Sequence, residues 1–185
     1  MLTAQPGNMP ETGGLKDAEV RKTLALLGAF CIFLSSIEFM IPKPAPFMRI
    51  GIANLPLMLA LDIVSFPAFL MLVGIKVVGQ ALITGTLFSP VVLYSLAGTA
   101  LAALSMYALR RALGRRVSFI GVGTMGAMMS SIAQMAMAWL FLFGSAARFI
   151  APYFFAAGLV TGISLGLFCE VFTRRSNWYQ ARRVR

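Results

Sequence analysis

Apolar residues run along this chain in six long blocks, approximately Lys22–Ile41, Ile50–Phe66, Ala68–Leu87, Val91–Leu109, Phe119–Phe143 and Phe149–Phe172, separated by short polar or proline-bearing stretches. A helix that crosses the hydrocarbon core of a bilayer needs about 20 mainly apolar residues. The pattern therefore predicts an all-α integral membrane protein, a bundle of six transmembrane helices. Pro67, Pro90 and Pro152 fall near block starts, where a helix tolerates proline. The second block is the least regular, because Asn54, Pro56 and Asp62 interrupt it. It is predicted to be broken or re-entrant if it does not cross, but a crossing keeps all the basic clusters on one face, which the charge rule favours.

Before the first block, residues 1–20 are rich in Gly, Pro, Thr and Ala and lack hydrophobic periodicity, the signature of a mobile leader. The membrane domain then covers 21–174, and 175–185 form a basic tail. The first block is read as retained, not as a cleaved signal, since no small-residue cleavage site follows it and Ile41-Pro42-Lys43-Pro44 leads into more apolar sequence.

Composition agrees with the pattern: of 185 residues, 59% are hydrophobic and 12% charged, against about 45–50% and 25% in soluble domains. The net charge of +10 raises the question of nucleic acid, and the positions of the cations answer it. Twelve of the 16 Lys and Arg lie in three segments, at Lys16, Arg21 and Lys22, at Arg110, Arg111, Arg115 and Arg116, and at Arg174, Arg175, Arg182, Arg183 and Arg185. With six spans all three share one face, which the positive-inside rule makes cytoplasmic. Both termini are then cytoplasmic, the membrane is the cytoplasmic (inner) one, and the cations meet anionic lipid, not nucleic acid. Cys31 and Cys169 lie inside apolar blocks and act as small hydrophobes.

Enzyme chemistry has little to work with. The chain has no His, and its acids are Glu11, Asp17, Glu19, Glu38, Asp62 and Glu170, too scattered to hold magnesium on a diphosphate. No Walker motif is present. The protein is therefore expected to be no enzyme, to hold no metal or cofactor, and at most to bind a small-molecule substrate. Gly121-Val122-Gly123-Thr124-Met125-Gly126 matches the dinucleotide pattern, yet it opens a membrane block and follows no strand, so it is read as a chance match.

Polarity at membrane depth is expensive and marks candidate function. Asn54, Lys76, Gln80 and Gln134 are the candidates, with Lys76 and Gln80 on one helix face. A structural alternative has Lys76 paired with Glu38 or Asp62. The connection from Glu38 to Arg49 carries three alternating prolines and, against the charge rule, the external cations Lys43 and Arg49. It is suited to cap a pocket and meet an anionic group, or to anchor at the interface. Small residues at helical spacing, Ala25 with Ala29, Gly98 with Ala102, and Gly158, Gly162 and Gly166, predict close helix packing.

Taken together, Pro42-Lys43-Pro44-Ala45-Pro46, Gly51-Ile52-Ala53-Asn54, Gly85-Thr86-Leu87-Phe88-Ser89-Pro90, Ser95-Leu96-Ala97-Gly98, Gly126-Ala127 and Gly158-Leu159-Val160-Thr161-Gly162 resemble, in order and spacing, the membrane family labelled heptaprenyl diphosphate synthase component I, also called the Gx transporter family. The resemblance covers roughly 24–172. That family is similar to the substrate-binding S components of energy-coupling factor (ECF) vitamin transporters, which have six helices, cytoplasmic termini and external loops over the ligand site. The resemblance implies that Ala25-Leu26-Leu27-Gly28-Ala29 docks a transmembrane coupling subunit that works with an ATPase pair. Ser130-Ser131 stand where many members have His-Asn, and Lys76 where Arg is common.

Two classes of function follow. One is the substrate-binding subunit of an importer for a small, anionic or amphipathic cofactor or vitamin precursor, with flavin, vitamin and isoprenoid or quinone precursors as candidates. In it Glu38, Lys43, Arg49, Asn54, Lys76, Gln80 and Gln134 form the substrate site. The other is a non-catalytic membrane subunit of a prenyl diphosphate synthase or of a membrane redox complex.

Overall fold

Backbone groups in hydrocarbon have no water to bond, so apolar blocks satisfy them internally as helices. The computed structural model describes residues 12–42, 50–89 and 91–182, and among these residues the regular structure is all helical, with no strand. The α-helices are α1 (Thr12–Met40), α2 (Leu55–Ala60), α3 (Phe66–Ile83), α4 (Val91–Leu113), α5 (Phe119–Ala138), α6 (Ala147–Arg175) and α7 (Asn177–Arg182). Of these, α1, α3, α4, α5 and α6 are long and apolar enough to cross a membrane. Their outer surface is greasy: Phe33, Met71, Phe141 and Val160 are each more than half exposed. That surface suits lipid, and in water it would be a large unpaired patch.

The second block is broken, in keeping with the interruptions at Asn54, Pro56 and Asp62. It folds as a short 3₁₀ turn, Ile52–Asn54, followed by the six residues of α2. Gly51, at φ 92°, bends the backbone into the turn in a conformation that glycine adopts readily, and Pro56 occupies the first turn of α2, where its missing N–H is harmless. Every residue of 53–61 is buried. Helices α1 and α3 run in the same direction, since Gly28 packs on Ile75 while Gly79 packs on Ile32. The segment between them therefore returns through the interior, from the end holding Glu38 to the end holding Arg110.

Both ends of the described residues are helical. Helix α1 begins at Thr12, and Lys16, Ala18 and Glu19 are good helix formers that continue a helix already nucleated. The tail folds back as α7, whose Tyr179 is fully buried.

The glycine stripe does what its spacing predicts. Helices α5 and α6 approach so closely that a Cβ at Gly162 would lie 2.8 Å from Gly123 O, and one at Gly166 would lie 2.4 Å from Ile120 Cα. Of the dinucleotide-like pattern, Gly123 serves this seam, where an added Cβ would meet Gly162 O at 2.6 Å, and Gly126 serves the α4–α5 contact, where one would meet the Met106 side chain at 2.6 Å.

Candidate functional site

Lys76 lies ten residues into α3 and seven from its end, roughly 15 Å and 10 Å along the axis. Its side chain is 3% exposed. The ammonium donates to Asn54 Oδ1 from the 3₁₀ turn and, at 3.4 Å, to Thr99 Oγ1 on α4. One turn on, Gln80 accepts from Ser95 Oγ at 3.3 Å, again across to α4. Gln134 Nε2 on α5 donates to Ser130 Oγ at 3.0 Å. Gly98 makes room for this pair, because a Cβ there would stand 3.1 Å from Ser130 Oγ.

Glu38 closes the cluster from α1. Its Oε1 accepts from Gly51 N at 3.1 Å and its Oε2 from Ala53 N at 3.3 Å. A carboxylate on the free N–H groups that open a helical turn is well placed electrostatically. Glu38 thus positions the turn that carries Asn54. Glu38, Asn54, Lys76, Gln80, Ser95, Thr99, Ser130 and Gln134 line one void, together with Tyr94 and two glycines. Its volume is about 10 Å³, the room one water needs.

The structure brings together Glu38, Asn54, Lys76, Gln80 and Gln134 of the predicted site; Lys43 and Arg49 lie outside the described residues. Asp62, one of the acids offered as a partner for Lys76, has a strong partner elsewhere. Asp62 is bound by Arg110, with Nη2 2.6 Å from Oδ2 and Nε 2.8 Å from Oδ1, and Tyr179 OH reaches Oδ2 at 3.4 Å. Arg110 also donates to Val117 O at 2.7 Å and lies over the Phe119 ring. The physical reason is depth: Asp62 ends the returning segment, two turns from Asn54, and meets the basic end of α4.

Sequence reasoning missed Ser95, Thr99 and Ser130 as site residues. Ser95 and Thr99 are four apart on α4, a polar pair inside an apolar block, and that spacing was the available signal. Ala25 and Ala29, the predicted docking residues, are both exposed on α1. Ala29 also lines a groove of about 570 Å³ against α6 and α7.

Comparison with the curated proteins and with the solved structures gives no match. A family model does match, over residues 27–172, and it covers the whole polar cluster and the α5–α6 seam: the chain belongs to the family described as heptaprenyl diphosphate synthase component I.

Proposed function

We propose that this chain is a non-catalytic, solute-binding subunit of a membrane importer, working as the S components of ECF transporters do. The observation that carries the reading is the convergence of Glu38, Asn54, Lys76, Gln80, Ser95, Thr99, Ser130 and Gln134 on one point at membrane depth. Buried polar groups in a bundle are costly and mark ligand paths. Here they come from α1, the turn before α2, α3, α4 and α5, so a ligand held among them touches most of the bundle. Lys76 supplies positive charge for an anionic or amphipathic cofactor or vitamin precursor, with flavin, vitamin and isoprenoid or quinone precursors as candidates, and the amides and hydroxyls supply hydrogen bonds.

In this reading the α2 segment makes the second of six crossings, and both termini lie on the cytoplasmic face of the inner membrane with the three basic clusters. The void must open from about 10 Å³ to the roughly 300 Å³ or more of a small-molecule site. The segment that moves is α2, six residues long and tied at its two ends by side chains. A coupling subunit docked on Ala25 and Ala29 transmits the work of an ATPase pair.

The family description favours a second reading, a non-catalytic membrane subunit beside a separate synthase polypeptide that holds the catalytic groups. Copurification separates the two. The importer reading expects a coupling subunit and ATPases to accompany the tagged protein and to be lost on Ala25→Leu or Ala29→Leu, substitutions at exposed positions that leave the fold intact. A soluble synthase in their place, or partners unaffected by either substitution, counts against it.

A further inference from the structure

Leu26, Phe30 and Phe33 of α1, Leu59 of α2, Phe172 of α6 and Trp178 of α7 line the groove of about 570 Å³ that Ala29 also borders. Between Leu26 and Phe33 it follows α1 for roughly 10 Å. Ser176 lies at the α6–α7 junction, and Trp178 is beside it. Tryptophan favours the boundary between hydrocarbon and headgroups, and Trp178 at the mouth of the groove suits that level.

That mouth is basic. The Arg182 guanidinium lies 4.8 Å over the Trp178 ring, and its Nε has no hydrogen-bond partner among the described residues. Arg175 directly precedes Ser176, and Lys22 is one turn before Leu26, with both side chains exposed. Arg174 is not counted, because Glu170 holds it at 2.9 Å. The walls are bulky and aromatic, whereas helices that dock in lipid prefer small residues at their contact. Between these rings there is room for a thin flexible chain.

We propose that this groove is a binding site for an anionic phospholipid, with one acyl chain lying along Leu26 to Phe33 and the phosphate held by Lys22, Arg175 and Arg182. Basic pockets at the ends of membrane helices recognise anionic headgroups in this way. The inference is independent of what the polar cluster binds, and because Ala29 borders the groove, a coupling subunit docked on Ala25 and Ala29 would cover the bound lipid.

Native mass spectrometry of the full-length protein, released from detergent and titrated with phosphatidylglycerol or with phosphatidylcholine of the same chains, tests it. One phosphatidylglycerol is expected to be retained with at least about tenfold preference. Lys22→Gln, at an exposed position, and Arg182→Gln, at a half-buried one, are each expected to lower that preference by roughly fivefold. Ala29→Trp, which fills the groove from an exposed position, is expected to abolish retention. Equal retention of the two lipids, full retention by Ala29→Trp, or displacement of phosphatidylglycerol by an equimolar polyprenyl diphosphate would overturn the proposal. If Ala29→Trp does not fold, the two charge variants decide the matter alone.

Discussion

Lys76 sits at a depth where hydrocarbon surrounds the bundle, and side chains from two other elements accept hydrogen bonds from its Nζ. Hydrogen bonds to a charged group contribute about 1.5–3 kcal/mol each. Asn54→Leu is therefore expected to lower the free energy of unfolding by about 2 kcal/mol, and Thr99→Val, at the longer contact, by about 1 kcal/mol; thermal unfolding in detergent measures both. An Asn54→Leu protein as stable as the parent would mean that the ammonium finds other acceptors. Lys76, Gln80, Asn54 and Gln134 were legible in the sequence because a cation or an amide in an apolar block stands out. Ser95 and Thr99 were not, since hydroxyls are ordinary in membrane helices. Ser35, Thr84, Thr161 and Ser164 all bond the carbonyl four residues back in their own helices, and a hydroxyl taken singly carries no mark that separates these from Ser95 and Thr99, whose four-residue spacing is the one hint.

The helices themselves show why spacing reads well and breaks read poorly. The stripe of Gly158, Gly162 and Gly166 reports a close seam directly, because only glycine permits that approach. Gly166→Val is expected to destabilise the protein by about 3 kcal/mol through overpacking against Ile120. Gly74→Ala, where an added Cβ meets nothing within 4 Å, is expected to leave stability unchanged or raise it by up to about 1 kcal/mol. Comparing the two unfolding midpoints checks the seam, and equal midpoints would contradict it. The second block was recognisable as irregular from Asn54, Pro56 and Asp62, but its path was not, because that depends on α1 and α3 running in the same direction. Its far end rests on Asp62, Arg110 and Tyr179. Removing one partner of a buried pair costs about 3–5 kcal/mol. Asp62→Leu is expected to lose stability on that scale and to speed tryptic cleavage after Arg182, as α7 loses its anchor. Tyr179 escaped sequence reading because it sits in a polar, basic stretch, although the neighbouring pair Trp178 and Tyr179 is an apolar signal within it.

At the scale of the whole molecule, the charge map and the hydropathy pattern agree on a membrane bundle, and both come from residue types alone. What joins Glu38, Asn54, Lys76, Gln80 and Gln134 is the lateral order of the helices, which no period encodes. The same order encloses both thiols: Cys31 and Cys169 are fully buried, so maleimide is expected to label the protein only after denaturation, and rapid labelling of the folded protein would contradict the packing. The central claim is that the polar cluster binds a small molecule through Lys76. Mass spectrometry of small molecules retained by the gently purified protein, beside a Lys76→Met variant of matched folding yield, tests it most directly. The account predicts one cofactor-like molecule per chain in the parent and at least a tenfold loss in the variant; an empty parent protein, or a variant that keeps full occupancy, would contradict it.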